Sequence, residues 1–389
     1  MQETSTMSPR AVYIHIPFCT NKCHYCDFNS VVLQGQPVMD YLQALEREMA
    51  YTVEKLPPHT IDTIFVGGGT PTVLTPEQMA HFLRSVRAWF PDQAVNVEFS
   101  MEANPGTVDE EKLAAMKEGG VNRISFGVQS FDNRLLHDIG RIHDTSDVYR
   151  SLEAARKAGF TNLSIDLMFG LPNQTLEQLD HTLSAALALD LPHYSIYSLK
   201  VEENTLFYKL YQRDELPLPD EDTELEMYRL IMDRLQAAGY EQYEISNFAR
   251  PGFESLHNMT YWRNEPYYGI GAGAHGYAAR LRHMNIRGVQ PYIRACRTGL
   301  PRAEEHPVSE QEAMEDFMMV GLRMLRGVSN EDFRRQFAVS MEEAFGQTLS
   351  RLLTQGLLER TEDGYRLSRQ GLIYGNEVFG AFLGAVETG

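Results

Sequence analysis

The chain has 389 residues, of which 43% are hydrophobic and 23% are charged, and this composition excludes a protein that is mainly disordered. Asp and Glu outnumber Lys and Arg by 53 to 35, and the resulting net charge of −18 argues against a general nucleic-acid binder, which needs a surplus of basic side chains. The length exceeds what one core usually fills, so we expect one large domain and a smaller one.

Short apolar segments alternate with amphipathic segments of helical length over residues 11–240. Six segments have the composition of strands: 12–16, 63–66, 95–101, 123–127, 162–167 and 194–199. Helical patterns lie between or after them: 38–55, 76–89, 109–119, 146–158, 175–189 and 222–238. Thr75 and Thr175 are typical helix N-caps, because each is followed three residues later by Gln. Strict alternation predicts an α/β fold with a parallel sheet or a partial (β/α) barrel, in which functional residues follow the carboxyl ends of the strands.

The two ends of the chain differ from this pattern. Residues 1–10 are polar and are predicted to form a flexible tail, without the apolar run of a signal peptide, and no segment has the roughly 18 apolar residues of a membrane span. Residues 241–304 are predicted to connect two domains. From 305 onward, helical patterns at 308–325, 329–337 and 341–355, followed by a hairpin, predict a winged-helix-like domain. Its 15 acids against 9 basic residues from 300 onward favour a lid or a protein-docking surface over DNA binding.

Three of the four cysteines follow the first predicted strand, in the pattern Cys19-x3-Cys23-x2-Cys26. So few cysteines argue against a disulfide-stapled secreted scaffold and favour a reducing, cytoplasmic location. Structural zinc would need a fourth ligand, for which His15 and His24 are candidates. An iron–sulfur cluster fits better, because three thiolates can hold three irons and leave one iron open to a small chelating molecule.

The string Tyr13-Ile-His-Ile-Pro-Phe-Cys19, with the rest of the cysteine motif, resembles the radical S-adenosylmethionine (SAM) superfamily. More narrowly, the chain is similar to the branch that holds the oxygen-independent coproporphyrinogen III dehydrogenases and the related haem chaperones, through GGGTPT, EANP, GVQSF, GRIH and IDLMFGLP. The resemblance implies a partial (β/α)6 radical SAM barrel, a [4Fe–4S] cluster on the three cysteines, and bound SAM. It also implies a set of residues that line the SAM pocket: Tyr13, Tyr25, Gly68, Gly69, Thr70, Glu102, Gln129, Arg141 and Asp166.

These residue types suit such a pocket. The glycines let the backbone approach a ligand closely, and no Gly-Lys-Ser/Thr follows that would make them a phosphate loop. Glu102, Gln129 and Asp166 can bond to ribose hydroxyls or an ammonium group, and Arg141 can hold a carboxylate with two hydrogen bonds. Singly, each has an ordinary alternative, such as a tight turn or an acid in solvent. Beside the cysteine motif, we interpret them as one pocket.

The string His257-Asn-Met-Thr-Tyr261-Trp262 resembles the motif that separates the haem chaperones from the dehydrogenases. The resemblance implies that His257 holds haem iron, although a lone histidine is more often packed or exposed without a ligand. The dehydrogenases carry an additional cysteine where this chain has Phe28, and a longer N-terminal extension. Both departures weaken the assignment to porphyrinogen decarboxylation.

The segment between Glu265 and Glu304 contains no acid and six arginines: Arg280, Arg282, Arg287, Arg294, Arg297 and Arg302. Such a segment is either a solvated surface or a surface that attracts carboxylates such as porphyrin propionates. It also contains Gly271-x-Gly273-x-x-Gly276, a dinucleotide-binding pattern without the acid that binds ribose, which we interpret as a tight turn or an approach to a flat ligand.

Two functions from different classes follow. The first is a haem chaperone that binds haem, SAM and a [4Fe–4S] cluster and delivers haem to apo-haemoproteins such as membrane-bound respiratory enzymes, at the inner face of the membrane. The second is an oxygen-independent coproporphyrinogen III dehydrogenase. Phe28 and His257 favour the first, so that dehydrogenase activity is not expected. A homodimer, covalent attachment of haem and the physiological cleavage of SAM stay open, and Cys296 has no assigned role.

Overall fold

The computed structural model describes residues 8–387, and the first seven residues of the predicted tail lie outside this part. Eight strands lie within residues 8–240: β1 (Ala11–Ile16), β2 (Phe18–Cys19), β3 (Val31–Val32), β4 (Ile61–Gly68), β5 (Gln93–Ala103), β6 (Arg123–Gln129), β7 (Asn162–Phe169) and β8 (His193–Ser198). Eight helices accompany them: α1 (Val38–Lys55), α2 (Pro76–Trp89), α3 (Glu110–Glu118), α4 (Asn133–Asp138), α5 (Thr145–Lys157), α6 (Leu176–Leu187), α7 (Leu206–Tyr211) and α8 (Glu221–Ala237).

Six of these strands form the centre of a parallel sheet in the order β1-β4-β5-β6-β7-β8, so each new strand is added beside the previous one. Side chains of β1 and β8, at opposite ends of this series, line one cavity, so the sheet curves into a partial barrel. The predicted α/β fold is confirmed. Parallel order also places the segments after β1, β4, β5, β6 and β7 at one edge of the sheet.

Local capping explains where two of the helices begin. The hydroxyls of Thr75 and Thr175 accept hydrogen bonds from the backbone N–H of Gln78 and Gln178, and each Gln side chain accepts from its threonine N–H in return. These reciprocal bonds satisfy donors that the first turn of a helix leaves free. Both caps are the ones that the sequence predicts.

The segment predicted to connect the domains contributes six further strands to the same sheet. Its elements are β9 (Glu241–Glu244), β10 (Asn247–Ala249), α9 (Leu256–Trp262), β11 (Tyr267–Ile270), β12 (His275–Ala278), β13 (Leu281–Asn285), α10 (Val289–Ala295) and β14 (Arg302–Pro307). Strand β11 pairs in parallel with β1 and is followed outward by antiparallel β12, β13 and β14, while β10 and β9 extend the other end beyond β8. The sheet therefore has twelve strands within the described residues.

The C-terminal region is a helical unit with a small sheet. It consists of α11 (Glu310–Gly321), β15 (Val328–Ser329), α12 (Asn330–Phe337), α13 (Met341–Thr354), β16 (Leu358–Arg360), β17 (Gly364–Leu367), α14 (Arg369–Ile373) and α15 (Gly375–Gly380). Strand β17 lies between β15 and β16 and pairs antiparallel with both. Phe317, Phe333, Phe337 and Phe345 pack against one another in its core, which is separate from the barrel core. Within residues 8–387, no helix combines the length and hydropathy needed to cross a membrane.

Candidate cluster and cofactor site

The three cysteines lie on the loop that follows β1, and each is a free, partly exposed thiol. The Thr70 hydroxyl donates to Cys19 Sγ at 3.7 Å, and Arg141 Nη1 donates to Cys23 Sγ at 3.5 Å. Burial raises the pKa of the Cys19 thiol, and it raises the pKa of Cys26 to about 11. The raised pKa values favour protonated thiols. Bound iron would favour the thiolates instead, because a coordinated thiol is deprotonated outright.

The spacing of the thiols bears on which metal the loop suits. Within residues 8–387, no three His, Cys, Asp or Glu side chains converge closely enough to hold one metal ion. Thiolates on a single zinc lie about 3.8 Å apart, given Zn–S bonds of about 2.3 Å. Thiolates on three irons of a cluster are more widely spaced, because irons and sulfides lie between them. The donors that Thr70 and Arg141 direct at two of the sulfurs suit thiolates that bind an iron–sulfur cluster.

A hydrogen-bonded chain connects two of these cysteines across the carboxyl end of the sheet. Asn104, just after β5, donates from Nδ2 to the Thr70 hydroxyl at 2.8 Å and accepts from Arg141 Nη2 at 2.7 Å. Arg141 also donates to the Gly127 carbonyl at the end of β6. Because Thr70 and Arg141 in turn contact Cys19 and Cys23, the chain fixes the two thiols relative to the sheet.

The cysteine loop is also tied to the segment after α4. His24 donates from its backbone N to the Ile139 carbonyl at 3.0 Å, and its Nδ1 contacts the Asp138 carbonyl at 3.0 Å. Gly140 has φ +76°, and a Cβ there would lie 2.7 Å from the His24 ring. Tyr25 is half-buried beside Arg141, and the loss of solvent there raises the pKa of its phenol. The loop is therefore held in place by protein contacts.

The glycines after β4 pack against the protein itself. Gly68 has φ +109°, and a Cβ there would lie 2.3 Å from the His15 ring. A Cβ on Gly69 would lie 2.6 Å from the Phe18 carbonyl oxygen. The N–H groups of Gly69 and Thr70 donate to Ile16 and Phe18 at 2.8 and 2.7 Å, so this loop joins the extension of β1. Glycine is needed here mainly because the loop packs so closely against β1 and its extension that a side chain would clash.

A cavity of about 240 Å³ opens beside this loop, inside the barrel. Of the nine predicted pocket residues, the cavity lining includes four: Tyr13, Gly68, Glu102 and Asp166. The remaining five lie outside its lining, and Tyr25, Thr70 and Arg141 among them surround the cysteines. Gln129 ends β6 with φ +69° at a shift of strand register. The predicted set is thus divided between a cavity and the cysteine loop next to it.

Two half-buried carboxyl groups, those of Glu102 and Asp166, line the cavity, and the charge of Asp166 acts on Glu102. Glu102 Oε2 accepts from the Gly68 N–H at 3.0 Å, and Asp166 Oδ1 accepts from the Ser125 hydroxyl at 2.9 Å. Burial and the negative charge of Asp166 raise the pKa of Glu102 to about 7, and burial raises the pKa of Asp166. A cation or a set of hydroxyl donors in this cavity would favour the ionised carboxylates. The amino-acid and ribose parts of SAM supply such groups.

His257 lies outside this cavity, in the first turn of α9, and is fully buried. Its Nδ1 contacts the Thr63 hydroxyl at 2.9 Å and its Nε2 contacts the Tyr261 hydroxyl at 2.8 Å. The ring also stacks on Phe65 with centroids 5.2 Å apart. Burial, with a smaller effect of the Arg123 charge, lowers the pKa of His257 to about 3. Both nitrogens are therefore engaged, and iron binding at Nε2 would require Tyr261 to move.

The arginines of the acid-free segment do not form one patch. Arg282 pairs with Asp316 at 2.6 Å, and Arg302 donates to Asn285 at 2.7 Å, while Arg294 and Arg297 are exposed on and after α10. The glycine pattern nearby is used in close packing, since a Cβ on Gly271 would lie 2.6 Å from the His15 carbonyl oxygen. The interpretation of these glycines as tight backbone turns agrees with this contact.

Sequence reasoning missed several polar residues of the site. Asn104 lies in the EANP string and connects Thr70 to Arg141. Ser195 and Tyr197 line the cavity from β8, and Arg123 and Ser125 line it from β6. Within each pair the residues are two apart, which is the spacing of side chains on one face of a strand. The alternation of side chains between the two faces of a strand would have identified them, whereas the sequence analysis considered mainly the residues at the ends of strands.

Comparisons with known proteins agree with this geometry. Residues 13–186 match the radical SAM superfamily, and residues 308–374 match the HemN C-terminal domain. A Bacillus subtilis (strain 168) protein named heme chaperone HemW is 48% identical over 376 residues, covering 96% of this chain and 99% of that protein. The Escherichia coli (strain K12) protein of the same name is 36% identical, covering 97% and 99%. The structure of coproporphyrinogen III oxidase (HemN) from Escherichia coli superposes with a TM-score of 0.84 at 23% identity, covering 98% of this chain and 91% of that one.

Proposed function

Since this chain belongs to the family of HemW haem chaperones within the radical SAM superfamily, we propose that it binds haem and delivers it to apo-haemoproteins. The observation that carries the proposal is the 48% identity over nearly the full length of both chains. The likeness to coproporphyrinogen III oxidase, at 23% identity, supports the shared fold alone. Phe28, at the position of the dehydrogenases' additional cysteine, also favours the chaperone.

Membership of the radical SAM superfamily implies a [4Fe–4S] cluster and SAM. Cys19, Cys23 and Cys26 would hold the cluster, with Thr70 and Arg141 donating to two of the sulfurs. Such donors stabilise the negative charge of thiolates and help to set the reduction potential. When bound, the cluster supplies an electron to SAM. Glu102 and Asp166 would bind the cationic and hydroxyl groups of SAM in the cavity next to the cysteines.

An anaerobic experiment separates the chaperone from the dehydrogenase. The reconstituted protein is given reductant, SAM and coproporphyrinogen III, and decarboxylated product is measured. In parallel, haem-loaded protein is mixed with an apo-haemoprotein, and the spectrum of the acceptor is followed. We expect transfer of haem without steady decarboxylation. Sustained turnover of coproporphyrinogen III would contradict the proposal.

We further propose that His257 is the iron ligand, through Nε2, after the Tyr261 hydroxyl has moved away. Tyr261→Phe removes the hydroxyl that now occupies Nε2 at 2.8 Å, so haem affinity should rise about two- to tenfold. Thr63→Val is the matched control, because it removes only the Nδ1 contact at 2.9 Å. His257→Ala should abolish the Soret shift. Unchanged affinity in both Tyr261→Phe and His257→Ala would show that His257 only packs.

The recipients and the place of transfer extend the same proposal. We propose respiratory enzymes at the inner face of the membrane as recipients, and a homodimer as the form that transfers haem. Centrifugation with anionic lipid vesicles and light scattering of the haem-loaded protein test these two points. Absence from the vesicle pellet, or a monomer at micromolar concentration, would contradict the respective point.

A further inference from the structure

The three cysteines of the loop differ in what holds them in place. Cys19 accepts a hydrogen bond from the Thr70 hydroxyl, and Cys23 accepts one from Arg141. The sulfur of Cys26 instead faces a backbone donor, that of Phe28, two residues further along the loop. The position of the third thiol therefore depends on the backbone that follows it.

Asn29 fixes that backbone through three hydrogen bonds. Its side-chain Nδ2 donates to the carbonyl oxygen of Ala272 at 2.8 Å and to that of Arg287 at 2.9 Å. Its own carbonyl oxygen accepts from Nε2 of His15, a buried residue of β1, at 2.8 Å. Asn29 is itself half-buried. The end of the cysteine loop is thus tied both to the first strand of the barrel and to the far side of the sheet.

The turn that receives the Asn29 side chain lies between β11 and β12 and contains the glycine pattern of the connecting segment. Gly273 in this turn has φ +74°, and a Cβ there would lie 2.7 Å from Asn29 Nδ2. Only a residue without a side chain leaves room for the amide at this distance and adopts this φ without strain. The second glycine of the pattern therefore serves the cysteine loop.

A buried carboxyl group makes the same turn rigid. Glu48 on α1 is fully buried, and it accepts from the Gly271 N–H at 2.8 Å and from Asn285 Nδ2 at 2.6 Å. The Tyr292 hydroxyl donates to it as well, and Asn285 Nδ2 also donates to the Gly271 carbonyl at 2.9 Å. Both oxygens of the buried carboxyl group are engaged, and a satisfied buried network of this kind rigidifies the structure around it. The turn is a fixed support for Asn29.

We propose that Asn29 is a positioning residue for the iron–sulfur cluster, which holds the backbone after Cys26 against the β11–β12 turn and thereby keeps the third thiolate at its iron. A group that orients a metal ligand typically contributes about 10- to 100-fold to metal affinity. Asn29 acts through Cys26 and does not contact iron. The inference rests on the cluster part of the proposed function and is independent of haem binding.

The first experiment measures the release of iron from the anaerobically reconstituted full-length protein to excess EDTA, followed by the loss of the cluster's visible absorbance. Asn29→Ala removes both side-chain bonds to the turn, and Asn29→Asp keeps the shape but offers an acceptor to two carbonyl oxygens. Both variants should release iron about 10- to 100-fold faster than the original chain. Asn96→Ala is the matched control, because Asn96 is exposed near the amino end of β5. Its release rate should stay within about twofold.

The second experiment uses the reduced, metal-free protein and needs no cluster. The alkylation of each cysteine by iodoacetamide is followed by mass spectrometry. Asn29→Ala should raise the rate at Cys26 about five- to tenfold, as expected for the loss of two hydrogen bonds, and leave the rate at Cys23 within about twofold. Equal increases at both cysteines would contradict the proposal, because Asn29 would then hold the loop as a whole.

Gly273→Ala tests the contact from its other side, because the added methyl group would take the space of the Asn29 amide. Iron release should accelerate by a factor similar to that of Asn29→Ala. Combined with Asn29→Ala, the second change should add less than about twofold, since the contact is already lost. Gly252→Ala is the control for backbone strain, because it has φ +86° but no atom within 4 Å, and it should leave the release rate unchanged.

Phe333→Leu controls for a general loss of stability, because Phe333 is buried in the separate core of the C-terminal unit. It should lower the melting temperature without accelerating iron release. If it releases iron as fast as Asn29→Ala, global stability sets the rate and the positioning role is wrong. If Gly273→Ala does not fold, the two Asn29 variants and the alkylation rates carry the test.

The outcomes separate this inference from the proposed function. If the original chain assembles the cluster but Asn29→Ala releases iron at the same rate, the positioning role is wrong and the cluster assignment stands. If the original chain assembles no cluster, the cluster part of the proposed function fails. Faster release in both Asn29 variants, with the three controls unchanged, is the result that we expect.

Discussion

Two ionisable side chains with displaced pKa values, Glu102 in the barrel and His257 on α9, differ in what their polar atoms contact. Glu102 lines a cavity and accepts from the Gly68 N–H, so it can still bind a ligand. His257 has both ring nitrogens in contact with hydroxyls and does not line that cavity. Burial displaces the pKa of both groups strongly. Unused hydrogen-bonding capacity beside a cavity, rather than burial or a displaced pKa, therefore distinguishes a site that is ready to bind.

The largest expected effect is on bound iron, which should depend on the cysteine loop and not on the α9 region. Cys19→Ala, Cys23→Ala and Cys26→Ala should each reduce bound iron from about four atoms per chain to nearly none after anaerobic reconstitution, because a cluster with only two protein ligands is not retained. Cys296→Ala is the control, since this thiol is buried at the end of α10, away from the loop. Iron retained in Cys19→Ala and lost in Cys296→Ala would refute the assignment.

The second effect concerns the close packing beside the cysteine loop. Gly68→Ala combines φ +109° with a Cβ 2.3 Å from the His15 ring, so we expect a loss of about 2–5 kcal/mol of unfolding free energy. Gly239→Ala has a similar φ of +83° but no atom within 4 Å, so about 1 kcal/mol is expected. Urea unfolding of both variants provides the comparison. Equal losses would show that the contact with His15 relaxes without cost.

The sequence predicted the barrel well because its signals are local. Alternating strands and helices, and the Thr75 and Thr175 caps, depend on residues within a few positions of one another. The family resemblance is likewise confirmed, because its motifs are short strings after the strands. The cysteine loop and the polar residues after β4 and β5 do come together in the structure, as parallel topology requires.

The sequence could not predict the features that depend on distant partners. Residues 241–304 were predicted only to connect two domains, yet they contribute six strands to the sheet. Strands β11 and β10 pair with the edges formed by β1 and β8, and β12, β13, β14 and β9 extend the sheet from them. The contact of His257 with Thr63 also joins two distant elements, α9 and β4. A cavity of about 1320 Å³ between α9, β12 and the C-terminal unit depends on how these elements meet, so no string of residues predicts it. The four arginines of its lining are scattered between positions 263 and 335.

The third prediction uses the pH dependence of the unfolding free energy to compare Glu102 with His257. The pKa of Glu102 is raised from 4.5 to about 7 in the folded protein, so the folded state holds this proton more tightly than the unfolded state. The contribution of this proton to the unfolding free energy is fully present below pH 4.5 and is lost as the pH rises through 7. Relative to Glu102→Gln, the original chain without SAM should lose about 2–3 kcal/mol between pH 5 and pH 8. Urea unfolding at both pH values measures this difference.

Glu118→Gln is the control for Glu102, because Glu118 is exposed at the end of α3. Its stability should change with pH in parallel with the original chain. SAM should oppose the effect of Glu102, since a cation bound beside the carboxylate favours its ionised form. If Glu102→Gln shows the same pH dependence as the original chain, then Glu102 holds its proton no more tightly when folded, and the cavity is wetter than its burial indicates.

The smallest expected effect is at His257 on α9, where the pH dependence of stability is opposite in sign to that at Glu102. The pKa of His257 is lowered from 6.5 to about 3, so the unfolded state binds a proton that the folded state excludes. The stability is therefore present above pH 6.5 and is lost as the pH falls toward 3. Relative to His257→Gln, the original chain should lose about 2 kcal/mol between pH 7 and pH 5. His137→Gln, at a side chain that is 89% exposed, should not alter the profile. If the His257→Gln profile matches that of the original chain, His257 titrates alike in the folded and unfolded states. The imidazole would then be accessible to protons and, by the same route, to iron, and the contrast with Glu102 would disappear.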